Sequence, residues 1–208
     1  MPTATSSARR SSSGSGMRAE VKVCGTNDAA FAAAAARLGV DYLGFIFEPS
    51  SPRHVTVGQA AEIAASLGAD LRRRVHLVGV FVRETPGEIA AAMRRAGLDI
   101  VQLHRRATVS DVAALKAAGY EVWTLAGGAA GDGVLFDSSH GDGETAFRQG
   151  DYKSIVAGRI GGGNLAEVLA PGPDVVDVNS SLETAPGVKS VARLEEFMRA
   201  FDAETAKV

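Results

Sequence analysis

Polar and apolar positions along this chain change period repeatedly. From residue 19 onward, short β-branched and aromatic runs alternate with Ala-rich stretches whose apolar positions recur at helical spacing. The strand-like runs fall at 20–24, 41–47, 75–82, 100–104, 121–125, 134–137, 154–157 and 175–178. The helix-like stretches fall at 28–38, 57–67, 86–96, 109–118, 164–169 and 191–201, with a weaker turn at 144–149. Strands separated by helices make βαβ units and a parallel sheet. Eight such strands favour a closed (β/α)8 TIM barrel over an open doubly wound sheet. One crossover is short, because only "AGGAAGDG" joins the fifth strand to the sixth. A parallel connection usually takes a dozen or more residues. The fifth helix is therefore expected to be missing or shortened.

Composition narrows the class. A chain of 208 residues suits one domain with one core. Its formal net charge of −2 gives no sign of a nucleic-acid or anionic-membrane partner. No apolar run approaches the roughly 20 residues of a membrane span. The single cysteine, Cys24, has no internal disulfide partner, which is compatible with a reducing cytoplasm. Residues 1–16, "MPTATSSARRSSSGSG", are rich in Ser and lack the apolar block of a secretory signal. They read as a disordered tail ahead of a barrel domain at 17–208. The basic run at 72–74 reads as solvated.

In a barrel of this kind the active site lies at the C-terminal ends of the strands. The first strand ends in Cys24, and the second is followed by "EPSSPRHV" with Arg53. The fourth ends in Gln102 and His104, and the sixth in Asp137. The seventh runs into "AGRIGGGN" with Gly158 and Arg159, the eighth into "DVNSSLE" with Asp177, Ser180 and Ser181. A thiol whose pKa is lowered, as at a helix N-terminus, is a good base or nucleophile. A carboxylic acid protonates a leaving oxygen when burial keeps its pKa high. Arg binds a carboxylate or phosphate through two hydrogen bonds. Loops rich in Gly and Ser offer N–H groups to a phosphate. Each residue alone has a plainer reading: a core thiol, a helix cap, a solvated arginine, a turn. Their convergence on one rim favours a site. His54, His76 and His140 have no metal-ligand spacing, and no metal is assigned.

The pieces "KVCG", "DYLGFIFEPSSPRHV", "VGVFV", "DIVQLH", "LFDS", "VAG" and "VDVNSSLETAPGVKS" run from about Val21 to about Phe201. Together they resemble the phosphoribosylanthranilate isomerases of tryptophan biosynthesis. The resemblance implies a small (β/α)8 barrel that needs no cofactor and carries out an Amadori rearrangement of an aminoaldose to an aminoketose. It implies Cys24 as general base, Asp137 as general acid and Arg53 as ligand of the anthranilate carboxylate. It places phosphate around Gly158 and around Ser180 and Ser181. It implies a small phosphorylated substrate and a cytoplasmic protein, monomeric or weakly dimeric. The chain departs from the family pattern at "GDGE" after the sixth strand and at "AGRI", where Arg159 replaces a second glycine. Arg159 then either binds phosphate or pairs with a carboxylate such as Glu183 or Asp177. A modified anthranilate as substrate, a non-catalytic binding or regulatory barrel, and another phosphosugar enzyme on the same scaffold are the alternatives.

Overall fold

The computed structural model describes residues 18–140 and 149–207. The tail expected at 1–16 lies outside these residues, as does all but the last residue of the turn expected at 144–149. Eight parallel strands close into a barrel in sequence order. They are β1 (Glu20–Cys24), β2 (Tyr42–Ile46), β3 (His76–Phe81), β4 (Ile100–Leu103), β5 (Glu121–Leu125), β6 (Gly133–Asp137), β7 (Lys153–Ala157) and β8 (Val175–Val178). The helices are α1 (Ala29–Arg37), α2 (Val57–Ser66), α3 (Gly68–Arg72), α4 (Pro86–Ala96), α5 (Val109–Ala117), α6 (Leu165–Leu169) and α7 (Val191–Thr205). Two elements escaped the sequence reading. Helix α3 has five residues and buries none of them, so it shows no apolar period. The hairpin of β9 (Glu183–Ala185) and β10 (Val188–Lys189) is too short to alternate visibly.

Local chemistry sets where the helices start. Asp28 accepts from the Phe31 N–H, and Thr56, Thr85 and Thr108 each close a capping box with the residue three positions on. Each cap stabilises its helix by about 1 kcal/mol. Among the described residues no helix lies between β5 and β6. Residues 126–132 cross instead, pressed flat on the sheet. A Cβ on Gly131 would lie 2.1 Å from the Val122 carbonyl oxygen, and one on Gly128 would lie 2.7 Å from the Ala107 nitrogen. Asp132 completes the crossing: its N–H donates to the Val122 carbonyl at 2.7 Å and its carboxylate accepts the Val122 N–H at 2.9 Å.

Alternation along the strands sorts residues into two layers. Val21, Val23, Leu43, Phe45 and Val176 face outward into the main core beneath the helices. Tyr42, Val78, Ile100, Trp123, Leu135, Ile155 and Val175 face inward and plug the barrel. Trp123 is fully buried in that plug, and truncating it to Ala would cost about 3–5 kcal/mol. Above the plug, toward the strand C-termini, Cys24, Gln102, Asp137 and Asp177 are inward polar positions set among the apolar Ile46, Val80 and Ala157. The basic run at 72–74 is not uniformly solvated. Arg72 pairs with Asp99 at 2.5 Å and reaches the Val75 and Gly97 carbonyls at 3.3 Å each, while Arg73 and Arg74 are exposed.

Candidate active site

The polar inward positions open into a cavity of about 380 Å³ at the C-terminal rim. Cys24, Arg53, Gln102, His104, Asp137, Gly158, Arg159, Asp177 and Ser180 all line it. Ser181 is placed elsewhere, on a shallower depression with Gly162 and Gly163 against α7. No cluster of three or more His, Cys, Asp or Glu side chains among the described residues is arranged to hold a metal ion.

Cys24 is the last residue of β1 and points into the barrel. Its environment differs from the sequence expectation. Helix α1 begins only at Ala29, with Asp28 as its cap, so the thiol does not sit on a helix N-terminus. Cys24 is 7% exposed, and burial pushes its thiol pKa up. The group that opposes this most is Lys22, two residues earlier on the same face of β1. Lys22 is fully buried and donates from Nζ to Asp177 Oδ2 of β8 at 2.7 Å. Burial alone would push the Lys22 pKa down; the Asp177 carboxylate and the Cys24 sulfur outweigh it and hold it above its ordinary value. Burial raises the Asp177 pKa, against the pull of Lys22. Gly44 of β2 leaves room for this cluster, because a Cβ there would lie 3.1 Å from Cys24 Sγ and 3.2 Å from Lys22 Nζ.

Asp137 ends β6, three strands round the barrel from β1. Its Oδ1 accepts from the Ser139 N–H at 2.9 Å and from the Ser139 hydroxyl at 2.6 Å. Its Oδ2 lies 3.9 Å from His104 Nε2. Gly158 fits tightly against this carboxylate: its φ is +97°, and a Cβ there would lie 2.8 Å from Asp137 Oδ1. Gln102 Oε1 and Asp177 Oδ1 are buried at the cavity without a hydrogen-bond partner. A native fold rarely leaves such atoms unmatched, so they mark where a ligand donor fits.

Arg53 is held by a strap. Its Nε and Nη2 donate to the two Glu183 oxygens at 2.7 Å each. Lys189 Nζ, from the other strand of the β9–β10 hairpin, donates to Glu183 Oε1 at 2.9 Å. Burial works against the Glu183 carboxylate, but Arg53 and Lys189 prevail and bring its pKa down to about 2. A guanidinium has five N–H donors, so this two-point contact leaves donors for a carboxylate in the cavity. The hairpin tip is pinned as well: Asn27 Nδ2 donates to the Gly187 carbonyl at 2.9 Å. Lys22, Lys189 and Glu183 were not singled out as site residues in the sequence. The usable signal was alternation, which puts Lys22 on the inward face with Cys24.

The loops after β7 and β8 also line the cavity. Arg159 has φ +53°, the left-handed region that favours glycine. Its side chain is exposed on the cavity rim beside Ser180. Glu183 is taken by Arg53 and Lys189, and Asp177 by Lys22, so neither carboxylate pairs with Arg159. Ser180 opens a helical turn, Ser180–Leu182, whose first N–H groups have no intrahelical acceptor.

The family described as N-(5'phosphoribosyl)anthranilate (PRA) isomerase matches residues 21–200. The chain belongs to that family. It is 34% identical to the N-(5'-phosphoribosyl)anthranilate isomerase of Granulibacter bethesdensis, covering 88% of this chain and 98% of that protein. It is 35% identical to the one of Paracoccus denitrificans, covering 88% and 96%. The crystal structure of phosphoribosyl anthranilate isomerase from Thermus thermophilus is similar to it with a TM-score of 0.76, at 30% identity over 88% of this chain and 98% of that one. This member of the family crosses from β5 to β6, among the described residues, by a glycine-rich segment and not a helix.

Proposed function

We propose that this chain is an aldose–ketose isomerase that carries out the Amadori rearrangement of N-(5'-phosphoribosyl)anthranilate. The observation that carries the reading is the meeting of a buried thiol and a carboxylate, Cys24 and Asp137, across one cavity in a chain of this family. Asp137 gives a proton to the ribose ring oxygen as the C1–O bond breaks, and the anthranilate nitrogen forms a Schiff base with C1. Cys24, as thiolate, takes the proton from C2. The enolamine that results tautomerises to the ketone. Acid and base each contribute roughly 10²–10⁴-fold. The spare donors of Arg53 face the anthranilate carboxylate. Arg159, the Gly158 loop and the Ser180 turn receive the phosphate. Gln102 Oε1 and Asp177 Oδ1 accept from sugar hydroxyls.

The non-catalytic reading is set aside, because the curated relatives are isomerases and this cavity retains both an acid and a base. The same reading makes the protein a monomer or weak homodimer of the cytoplasm. Among the described residues no helix is long and apolar enough to cross a membrane. Complementation of an isomerase-deficient tryptophan auxotroph, together with turnover of phosphoribosylanthranilate by the purified protein, tests the activity. Growth and turnover are expected; folded protein that gives neither would overturn the reading and move weight to a modified anthranilate.

A further inference from the structure

We propose that Lys22, held by Asp177, is the positioning residue that lets Cys24 ionise inside the barrel. The inference rests on the catalytic reading above. It answers a physical difficulty in that reading: a thiol under the barrel rim, away from any helix N-terminus, has no other buried cation at its side on β1.

The geometry is specific. A lysine with no exposed surface is rare unless it is paired. Here one Asp177 oxygen takes its charge at 2.7 Å, and the other oxygen stays unmatched at the cavity. Gly44 lets Cys24 Sγ and Lys22 Nζ share one notch, each within about 3 Å of where a Cβ would stand. An ordinary side chain at residue 44 would separate or displace them. An ammonium this close to sulfur in a poorly solvated site favours thiolate over thiol, because Coulomb attraction is weakly screened there.

Every charged group facing the thiol bears on the argument. Lys22 lies on β1, Asp177 on β8, Lys189 on β10 and Arg53 on the loop after β2; Asp137 on β6 faces Asp177. Lys189 is already matched to Glu183 and Asn179, and Arg53 to Glu183. Asp177 opposes the thiolate, but it fixes the Lys22 ammonium in place. When the thiolate takes the proton from C2, Lys22 keeps its own proton and remains an ammonium throughout.

Cys24 is the only cysteine, so alkylation by iodoacetamide reports on it alone, with Cys24→Ser as the blank. The pH midpoint of alkylation is measured in the wild type, Lys22→Met, Asp177→Asn and the double variant. Lys22→Met is expected to move the midpoint up by about one unit or more, roughly tenfold slower labelling at neutral pH. The double variant should lie above Asp177→Asn in the same way. That second pair keeps the test open when Lys22→Met alone strands the Asp177 carboxylate and fails to fold. The acid limb of kcat should move with the alkylation midpoint. A midpoint unmoved in a folded variant overturns the proposal, as does a shifted midpoint with an unmoved kcat limb. Thiol titration needs no turnover, so its failure and the failure of the isomerase reading are separate results.

Discussion

The two ends of the barrel interior carry similar residue types and treat them differently. At the N-terminal end, Tyr42 donates to Glu20 at 2.6 Å, Lys153 donates to Glu20 at 2.9 Å and to the Tyr42 oxygen at 2.6 Å, and Trp123 donates to Glu121 at 2.7 Å. At the C-terminal end, Lys22 and Asp177 form one contact, and Asp177 Oδ1, Gln102 Oε1 and Thr26 Oγ1 are left unmatched. The lower network is also wetter: Lys153 and Glu20 side chains keep about a third of their surface, 31% and 35%, whereas Lys22 keeps none. The lower end is a finished lid on the plug. The upper end carries unmet hydrogen bonds and uncompensated desolvation, which a fold keeps where a ligand completes the pattern.

The largest expected effect is at the upper end. Asp137→Asn and Cys24→Ser should each lower kcat by roughly 10²–10⁴-fold with little change in melting temperature, since volume is nearly kept. Steady-state kinetics beside thermal melts check this; near-normal kcat in either variant would make the upper end as structural as the lower.

Next comes the strap. Glu183→Gln leaves Arg53 and Lys189 facing each other without their carboxylate and should cost about 3 kcal/mol, along with a raised KM. The folded pKa of Glu183 is depressed from 4.5 to about 2. Its contribution is therefore full above pH 4.5 and lost as pH falls toward 2. Chemical unfolding of both proteins from pH 7 to pH 3 should show their difference constant above pH 4.5 and shrinking below it. A difference that grows with acid would contradict the pairing.

Arg159→Gly should weaken phosphate binding several-fold while relieving a left-handed conformation worth about 1 kcal/mol. Calorimetric titration with inorganic phosphate decides this. Tighter binding by the variant would mean that the guanidinium occupies the anion's place.

Smallest of all is the lower end. Lys153→Met should change stability by at most about 1 kcal/mol, as partly exposed pairs do, and leave kcat unchanged. A loss of turnover there would erase the contrast between the two ends.

Periodicity was enough to place the eight strands and the main helices, because burial on one or both faces leaves its mark on every strand. The short crossing was legible too: "AGGAAGDG" is too brief for a helix, and a Cβ on its Gly131 would strike β5 while one on Gly128 would strike the loop after β4. The strand ends carrying Cys24, Gln102, His104, Asp137 and Asp177 could be named because the fold assigns chemistry to one rim. Alternation even pairs Lys22 with Cys24, yet a lysine reads as solvent-facing until the barrel closes.

Closure decided the rest. Only the β1–β8 junction brings Lys22 to Asp177, 155 residues away, and only the hairpin brings Glu183 back over Arg53, 130 residues away. Both contacts depend on where strands of different sequence position end in space, which no local pattern encodes. The setting of Cys24 follows the same rule. Residue order suggested a helix N-terminus beside it; burial in the closed barrel pushes the thiol up, opposed most by Lys22 on the same strand and also by Lys189 of the hairpin.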